Sequence, residues 1–377
     1  MKKINTVKFF FFFLLLLTSC NEAEKKTTLS LLKNTQNEIF LQGIVLHLDS
    51  FVVPGDLSLI GNNIIVKCNE CDTVFVVYEI ENNKLKHKKG FGRIGQGPCE
   101  LIDYKHSYDF EKQDLYLYDN NSSAIKMFKI NISEFENIYD YTNWKQIQMP
   151  ESRQNLYTKF VSYDSTSLIG LGGDVFGSNL LTYINYEKNE ISALEIEYPN
   201  DGLKIPDRIK NTAYRRGNIL KKPKDQKYLY YNFMGQYAEI ITISDINNSK
   251  RKVIVNNPPI YKAISDNMNC TYDENCFMGV KAYITDQLIY VMPEPYRKKE
   301  YLEYTNYKGY PRSYADELYI FDWAGNFLRY VRLDQPIDSF VVDEKDIFLY
   351  ATSIDLEGDF DIIIKKYDLS AINNGGI

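Results

Sequence analysis

Leu115-Tyr116-Leu117-Tyr118 is a short run of large apolar and aromatic side chains, followed after a polar break by a second such run at residues 125–130. The pattern recurs. Ile64-Ile65-Val66, Leu168-Ile169-Gly170-Leu171, Leu229-Tyr230-Tyr231, Leu288-Ile289-Tyr290-Val291 and Ile347-Phe348-Leu349-Tyr350 are its counterparts, with successive starts 51, 53, 61, 59 and 59 residues apart. Each has a hairpin partner downstream, at residues 74–80, 125–130, 181–186, 239–244, 318–322 and 361–369. Short β-branched and aromatic runs bounded by turn residues read as strands, and self-similarity at this period reads as a repeat architecture.

Upstream strands also correspond: Asp49-Ser50-Phe51, His106-Ser107-Tyr108 and Asp338-Ser339-Phe340 begin 57 and then 232 residues apart, one and four repeats. A period near 58 suits a four-stranded sheet with its loops. Helices fit badly, because the runs are short and alternate as strands do. The expected fold is therefore all-β, a six-bladed β-propeller of four-stranded antiparallel blades, in which each sheet is buried between two neighbours. The last blade has three strands and little chain left for a fourth. Residues 39–48 can supply it, closing the ring with an N-terminal strand.

Composition agrees with a folded chain. The 377 residues are 44% hydrophobic and 25% charged, with 31 Tyr and 21 Phe. Such a bias suits pleated sheets and ring-stacking surfaces. The formal charge of −6 becomes −9 once residues 1–19 and their three lysines are removed, which argues against nucleic acid as a partner.

The N-terminus carries an address. Met1-Lys2-Lys3 is followed by an apolar core at residues 9–17, too short to span a bilayer as a helix, which reads as a secretion signal. Leu17-Thr18-Ser19-Cys20 resembles the bacterial lipobox, which implies lipidation of Cys20 and a membrane partner reached through acyl chains. Asn21 after that cysteine is similar to the sorting pattern of outer-membrane lipoproteins. The expected organisation is residues 1–19 as signal, 20–37 as lipidated cysteine and solvated tether, and 38–377 as propeller with an insertion at 293–316.

Phe91-Gly92-Arg93-Ile94-Gly95-Gln96-Gly97-Pro98-Cys99-Glu100-Leu101 resembles the G-R-x-G-Q-G-P-G-E signature of Bacteroidetes six-bladed, TolB-like β-propeller lipoproteins, with Cys99 where the family commonly has glycine. The resemblance implies the fold and export, and no settled activity. Related six-bladed folds include NHL-repeat propellers and lactonase-like enzymes. Gly90-Phe91-Gly92-Arg93-Ile94-Gly95 also satisfies G-x-G-x-x-G, but Pro98 interrupts the helix a dinucleotide site needs. The glycines are explained by an inter-blade turn. Arg93, Gln96 and Glu100 stand as candidate ligand contacts there.

In a propeller, the loops joining strands two and three share one end of the ring with those leading to the next blade. Residues 68–73, 92–100, 172–179, 269–276 and 293–316 are expected on that face. The last of these is the longest insertion, with Tyr296, Arg297, Tyr301, Tyr304, Tyr307, Tyr310 and Arg312 as candidate ligand contacts: the rings can stack on sugar or peptide, and the bases can hold carboxylates. Packing of these tyrosines against a neighbouring blade is nearly as good an account.

Five cysteines follow Cys20. In an oxidising compartment Cys68 with Cys71, and Cys270 with Cys276, read as two local disulfides ahead of a pooled zinc site, leaving Cys99 as a small apolar residue. Asp355, Glu357, Asp359 and Asp361 alternate but lack calcium-loop spacing and read as a solvated hairpin tip. There is no G-x-S-x-G, no H-E-x-x-H and no sialidase-type Asp box. His47, His87 and His106 are expected to be structural. The sequence leans toward a binding propeller without cofactor or metal that holds a glycan, peptide or protein on its loop face. The alternatives are a Ca²⁺-dependent hydrolase or lactonase using the central channel, and a structural subunit of an outer-membrane assembly.

Overall fold

The computed structural model describes residues 28–34, 38–48, 55–68, 71, 73–119, 125–150, 155–174, 177–264, 269–308, 314–355 and 362–373. The all-β expectation holds. Strands hydrogen-bond antiparallel in sets of four, and every recurrent run becomes the second strand of its set. The first set is Leu57–Ile60, Asn63–Lys67, Phe75–Glu81 and Lys84–Phe91. The second is Lys105–Asp109, Asp114–Asp119, Lys126–Asn131 and Lys145–Gln148. Asn155–Ser162 to Glu190–Ala193 and Gly217–Lys221 to Asn248–Asn256 form the third and fourth.

Second strands are apolar on both faces because both faces are covered. Asp114–Asp119 and Leu288–Pro293 are buried at every position, which accounts for their near-continuous Leu, Ile and Tyr. The tyrosines fill this space with rings, and several place hydroxyls on partners: Tyr290 donates to Asp346 at 2.8 Å and Tyr230 to the Tyr214 carbonyl at 2.6 Å, whereas the buried Tyr116 hydroxyl has no hydrogen-bond partner among the described residues. Buried phenols are tolerated where such partners exist.

One strand serves two sets. Phe327–Val342 pairs through its first half with Ala315–Asp322 and through its second with Phe348–Ile354, so the outer edge of one sheet continues as the inner edge of the next. The N-terminal run at 39–48 is divided. Glu38–Leu41 runs parallel to Tyr330 through Leu333, while Ile44–Leu48 pairs antiparallel with Ile362–Asp368 and touches Lys84 and Leu85 of the first set. Gly43 lies beneath the Tyr367 ring, where a Cβ would stand 2.7 Å from ring carbons. Only glycine permits that approach.

Four expectations need correction. The strand equivalent to His106-Ser107-Tyr108 in the first set is Leu57–Ile60, nearer the recurrent run because the intervening turn is short; Asp49-Ser50-Phe51 lies outside the described residues. Part of the expected tether is docked instead. Thr28–Lys33 is a helical turn whose Leu29 is buried among Ile254, Tyr319 and Tyr330, because that side chain gains more from the sheet surface than from water. Cys68 and Cys71 are bridged, whereas Cys270 and Cys276 are separate, buried thiols. Cys270 pairs with Ala263 across a two-stranded ladder and Cys276 closes the following turn, its sulfur accepting the Ile260 N–H at 3.4 Å. Burial pushes both thiols up from their ordinary value. The insertion, expected as a loop, contains the helix Lys298–Lys308.

Candidate functional site

The first strand of each set faces a common cavity of about 560 Å³. Because side chains alternate along a strand, each contributes a pair two residues apart. One layer is Ser58, His106, Lys159, Asn218, Lys281 and Asp338; the next is Ile60, Tyr108, Val161, Leu220, Tyr283 and Phe340. The first layer is polar at all six positions and the second apolar or aromatic. Phe233, Met278, Glu294 and Tyr301 also line the cavity. They belong to the connections at the N-terminal ends of the inner strands, the end expected to carry function.

Hydrogen bonds stitch the polar layer across set boundaries. The Ser58 hydroxyl meets His106 Nε2 at 2.8 Å, and Lys159 Nζ donates to the His106 carbonyl at 2.5 Å. Lys281 is paired with Asp338 at 2.6 Å. Within the fourth set Asn218 donates to the Tyr231 hydroxyl at 2.9 Å, and between the first and last sets the Leu57 N–H donates to Ser339 Oγ at 3.1 Å. Burial, reinforced by the Lys159 and Lys67 ammoniums, pushes His106 down to about 3, so its ring is neutral through the physiological range. Burial also lowers Lys159 to about 8; Lys105 and Lys67 act in the same direction and Asp56 against it. Among the described residues no carboxylate lies within ion-pair distance of Lys159, and no three His, Cys, Asp or Glu side chains are grouped to hold a metal ion. Asp338 is the one carboxylate in the polar layer.

A model of the TolB-like 6-blade propeller-like family matches residues 36–345. The chain belongs to that family. The fold of a Bacteroides fragilis NCTC 9343 chain assigned to export is similar, at a TM-score of 0.52 and 11% identity, over 87% of this chain and 94% of that one. A Bacteroides thetaiotaomicron VPI-5482 protein of unknown function aligns at a TM-score of 0.44 and 9% identity, over 86% of this chain and 75% of that one. No curated protein matches the sequence.

In this TolB-like propeller the signature loop is folded on itself. The buried Tyr104 hydroxyl accepts the Arg93 N–H and donates to the Arg93 carbonyl, both at 2.9 Å. The Glu100 carboxylate accepts the Gly97 N–H at 2.9 Å, and Lys126 reaches the Gly97 and Glu100 carbonyls. Gly95 and Gly97 leave room for that carboxylate: a Cβ at Gly95 would stand 2.0 Å from Glu100 Oε2. Glu100 thus shapes the turn. Arg93 is exposed, with its guanidinium 5.8 Å from the Tyr141 ring, and Gln96 is exposed; neither lines the cavity.

Among the described residues, Tyr301 is the insertion candidate that reaches the cavity. Arg297 instead stacks over Phe277 at 4.9 Å, and the Tyr296 carbonyl accepts the Met278 N–H, fastening the insertion to the neighbouring strand. Tyr304 and Tyr307 lie on the helix; Tyr310 and Arg312, with Cys20, Glu357, Asp359 and Asp361, lie outside the described residues. Sequence reading missed Ser58, Lys159, Asn218 and Lys281, and placed His106 and Asp338 in strands without a role. Their shared signal is position: each stands six to eleven residues before the start of a recurrent run.

Proposed function

We propose that the protein is an exported, lipid-anchored binding propeller whose six four-stranded blades close through the N-terminal strand and hold a ligand at the loop-face end of the central cavity. The observation that carries this reading is the cavity itself. Six strands from across the chain converge on one layer of hydrogen-bonding side chains above one apolar layer, in a volume typical of small-ligand sites. A glycan, or the end of a peptide, fits such a mixture of polar and aromatic walls.

Export is supported by the signal-like N-terminus and by the assignment of the fragilis relative. Outer-membrane anchoring rests on Cys20 and Asn21. Cys20→Ala is expected to move the protein from the membrane pellet to the soluble fraction; unchanged partition would remove the anchor from this reading. For the ligand, the mature chain from residue 21 onward should be screened against glycan and peptide arrays beside Tyr301→Ala. Binding weakened at least fivefold by loss of the rim tyrosine is expected. Binding that ignores this substitution would place the ligand elsewhere on the ring.

A further inference from the structure

The cavity wall carries three lysines. Lys281 is neutralised by Asp338 at 2.6 Å, and Lys221 faces the buried Asp109 at 3.6 Å. Lys159 has the His106 carbonyl as its one hydrogen-bond partner among the described residues. An ammonium in that position has donors to spare and charge uncompensated at contact distance. Around it stand Ser58, His106 and Asn218, neutral groups that can serve hydroxyls as donor and acceptor. Glu294 and Asp56 add negative charge to the wall, which disfavours a ligand of more than one charge. Tyr301, Tyr108 and Tyr283 supply rings for a sugar face.

We propose, resting on the binding reading above, that the cavity takes a hydroxylated monocarboxylate of the uronic-acid type, with the carboxylate on Lys159 and hydroxyls on Ser58, His106 and Asn218. The ligand is then the acidic end of a glycan. A dianion such as phosphate lacks a second unpaired cation, and a neutral sugar leaves Lys159 unanswered.

Binding should depend on the Lys159 proton. The charged and titratable groups acting on it are Asp56, Lys67, Lys105 and His106, with Lys221, Lys281, Asp338, Glu294 and the phenols of Tyr108, Tyr231, Tyr283 and Tyr301 the others on the cavity wall; burial pushes all four phenols up. Above pH 8 the free amine loses its proton, so the affinity for a carboxylate should fall by up to about tenfold per pH unit.

The chain has three histidines, so their imidazole signals in histidine-labelled mature protein can be told apart. Glucuronate and galacturonate are expected to shift His106 and to leave His47 and His87 unmoved. Lys159→Met, which keeps the length of the stem, is expected to weaken this binding at least tenfold, and glucose to bind at least tenfold less tightly than glucuronate. Glucose, inorganic phosphate or an acetylated peptide carboxylate shifting His106 at equal or lower concentration would overturn the acid-sugar inference while leaving the binding site standing. So would an affinity for glucuronate that is flat from pH 8 to 9.5 and indifferent to Lys159→Met. If no glycan or peptide that binds the protein moves His106, the cavity is not the ligand site and the broader reading falls.

Discussion

Deletion of residues 39–48 is expected to abolish cooperative unfolding of the native protein, or to lower Tm by more than 15 °C, roughly the effect of several kcal/mol on a domain of this size. Two ladders depend on this segment. Ile44–Leu48 supplies the outer strand beside Ile362–Asp368, and Glu38–Leu41 pairs with Tyr330 through Leu333. Leu46 is buried with Ile64, Val341 and Ile364, so its side chain bridges the first and last sheets; Leu41 is buried among Val331, Leu333 and Tyr367. Truncating one such leucine costs about 2–5 kcal/mol, and the deletion adds unpaired backbone on Ile362–Asp368. The sum is comparable with the whole stability of an ordinary domain. Leu46→Ala serves as the graded control, with a loss of about 2–5 kcal/mol. A melting curve unchanged by the deletion, followed by circular dichroism, would show that the seam carries no stability.

Lys159→Met is expected to raise stability at neutral pH, opposite to the usual effect of altering a half-buried side chain. In the fold the ammonium is lowered to about 8 from its ordinary 10.5, so between these values the unfolded chain binds more protons than the native one. Wild-type stability should therefore increase as pH rises from 8 to 10.5, and the charged lysine exacts its full penalty below pH 8. Methionine removes the charge and keeps the packing. The gain at pH 7 should be on the order of 2 kcal/mol, less than the full shift implies because the side chain is only half-buried and lines an open cavity. Denaturant unfolding of both proteins at pH 7 and pH 10 measures it, and the difference should shrink at the higher pH. A destabilised variant at pH 7 would mean that the His106 carbonyl contact outweighs desolvation. Stability lost to a lysine that ligand binding would use is the pattern expected of a functional position.

The strand-forming runs were legible because their evidence is local. Leu115-Tyr116-Leu117-Tyr118 and its five counterparts carry residues that fit a doubly covered strand, and each became one. The third strands followed from hairpin spacing, and the pairing of Ile44–Leu48 beside Ile362–Asp368 from counting strands in the last set. The signature at 91–101 identified the family, although its Glu100 and glycines shape a turn and do not line the cavity. Tyr301 was legible as an aromatic in an insertion; its helix was not, since Lys298–Lys308 has no apolar stripe to announce it.

Sequence alone determined the fold class, the repeat and the family, because strand formation and turn chemistry depend on neighbours a few residues apart. The polar layer of the cavity was decided by tertiary structure. Its six positions hold Ser, His, Lys, Asn, Lys and Asp, spaced 48 to 63 residues apart, so no motif repeats. An inner strand needs a side chain that tolerates the channel, which many residue types do, and its identity becomes chemistry only when six strands converge. The same holds for the thiols: Cys270 and Cys276 have the spacing of a local bridge, but a ladder and a turn hold each on its own partners. Lys159 illustrates the rule, an ordinary strand lysine in sequence whose charge acquires a cost, and a use, from the walls that close around it.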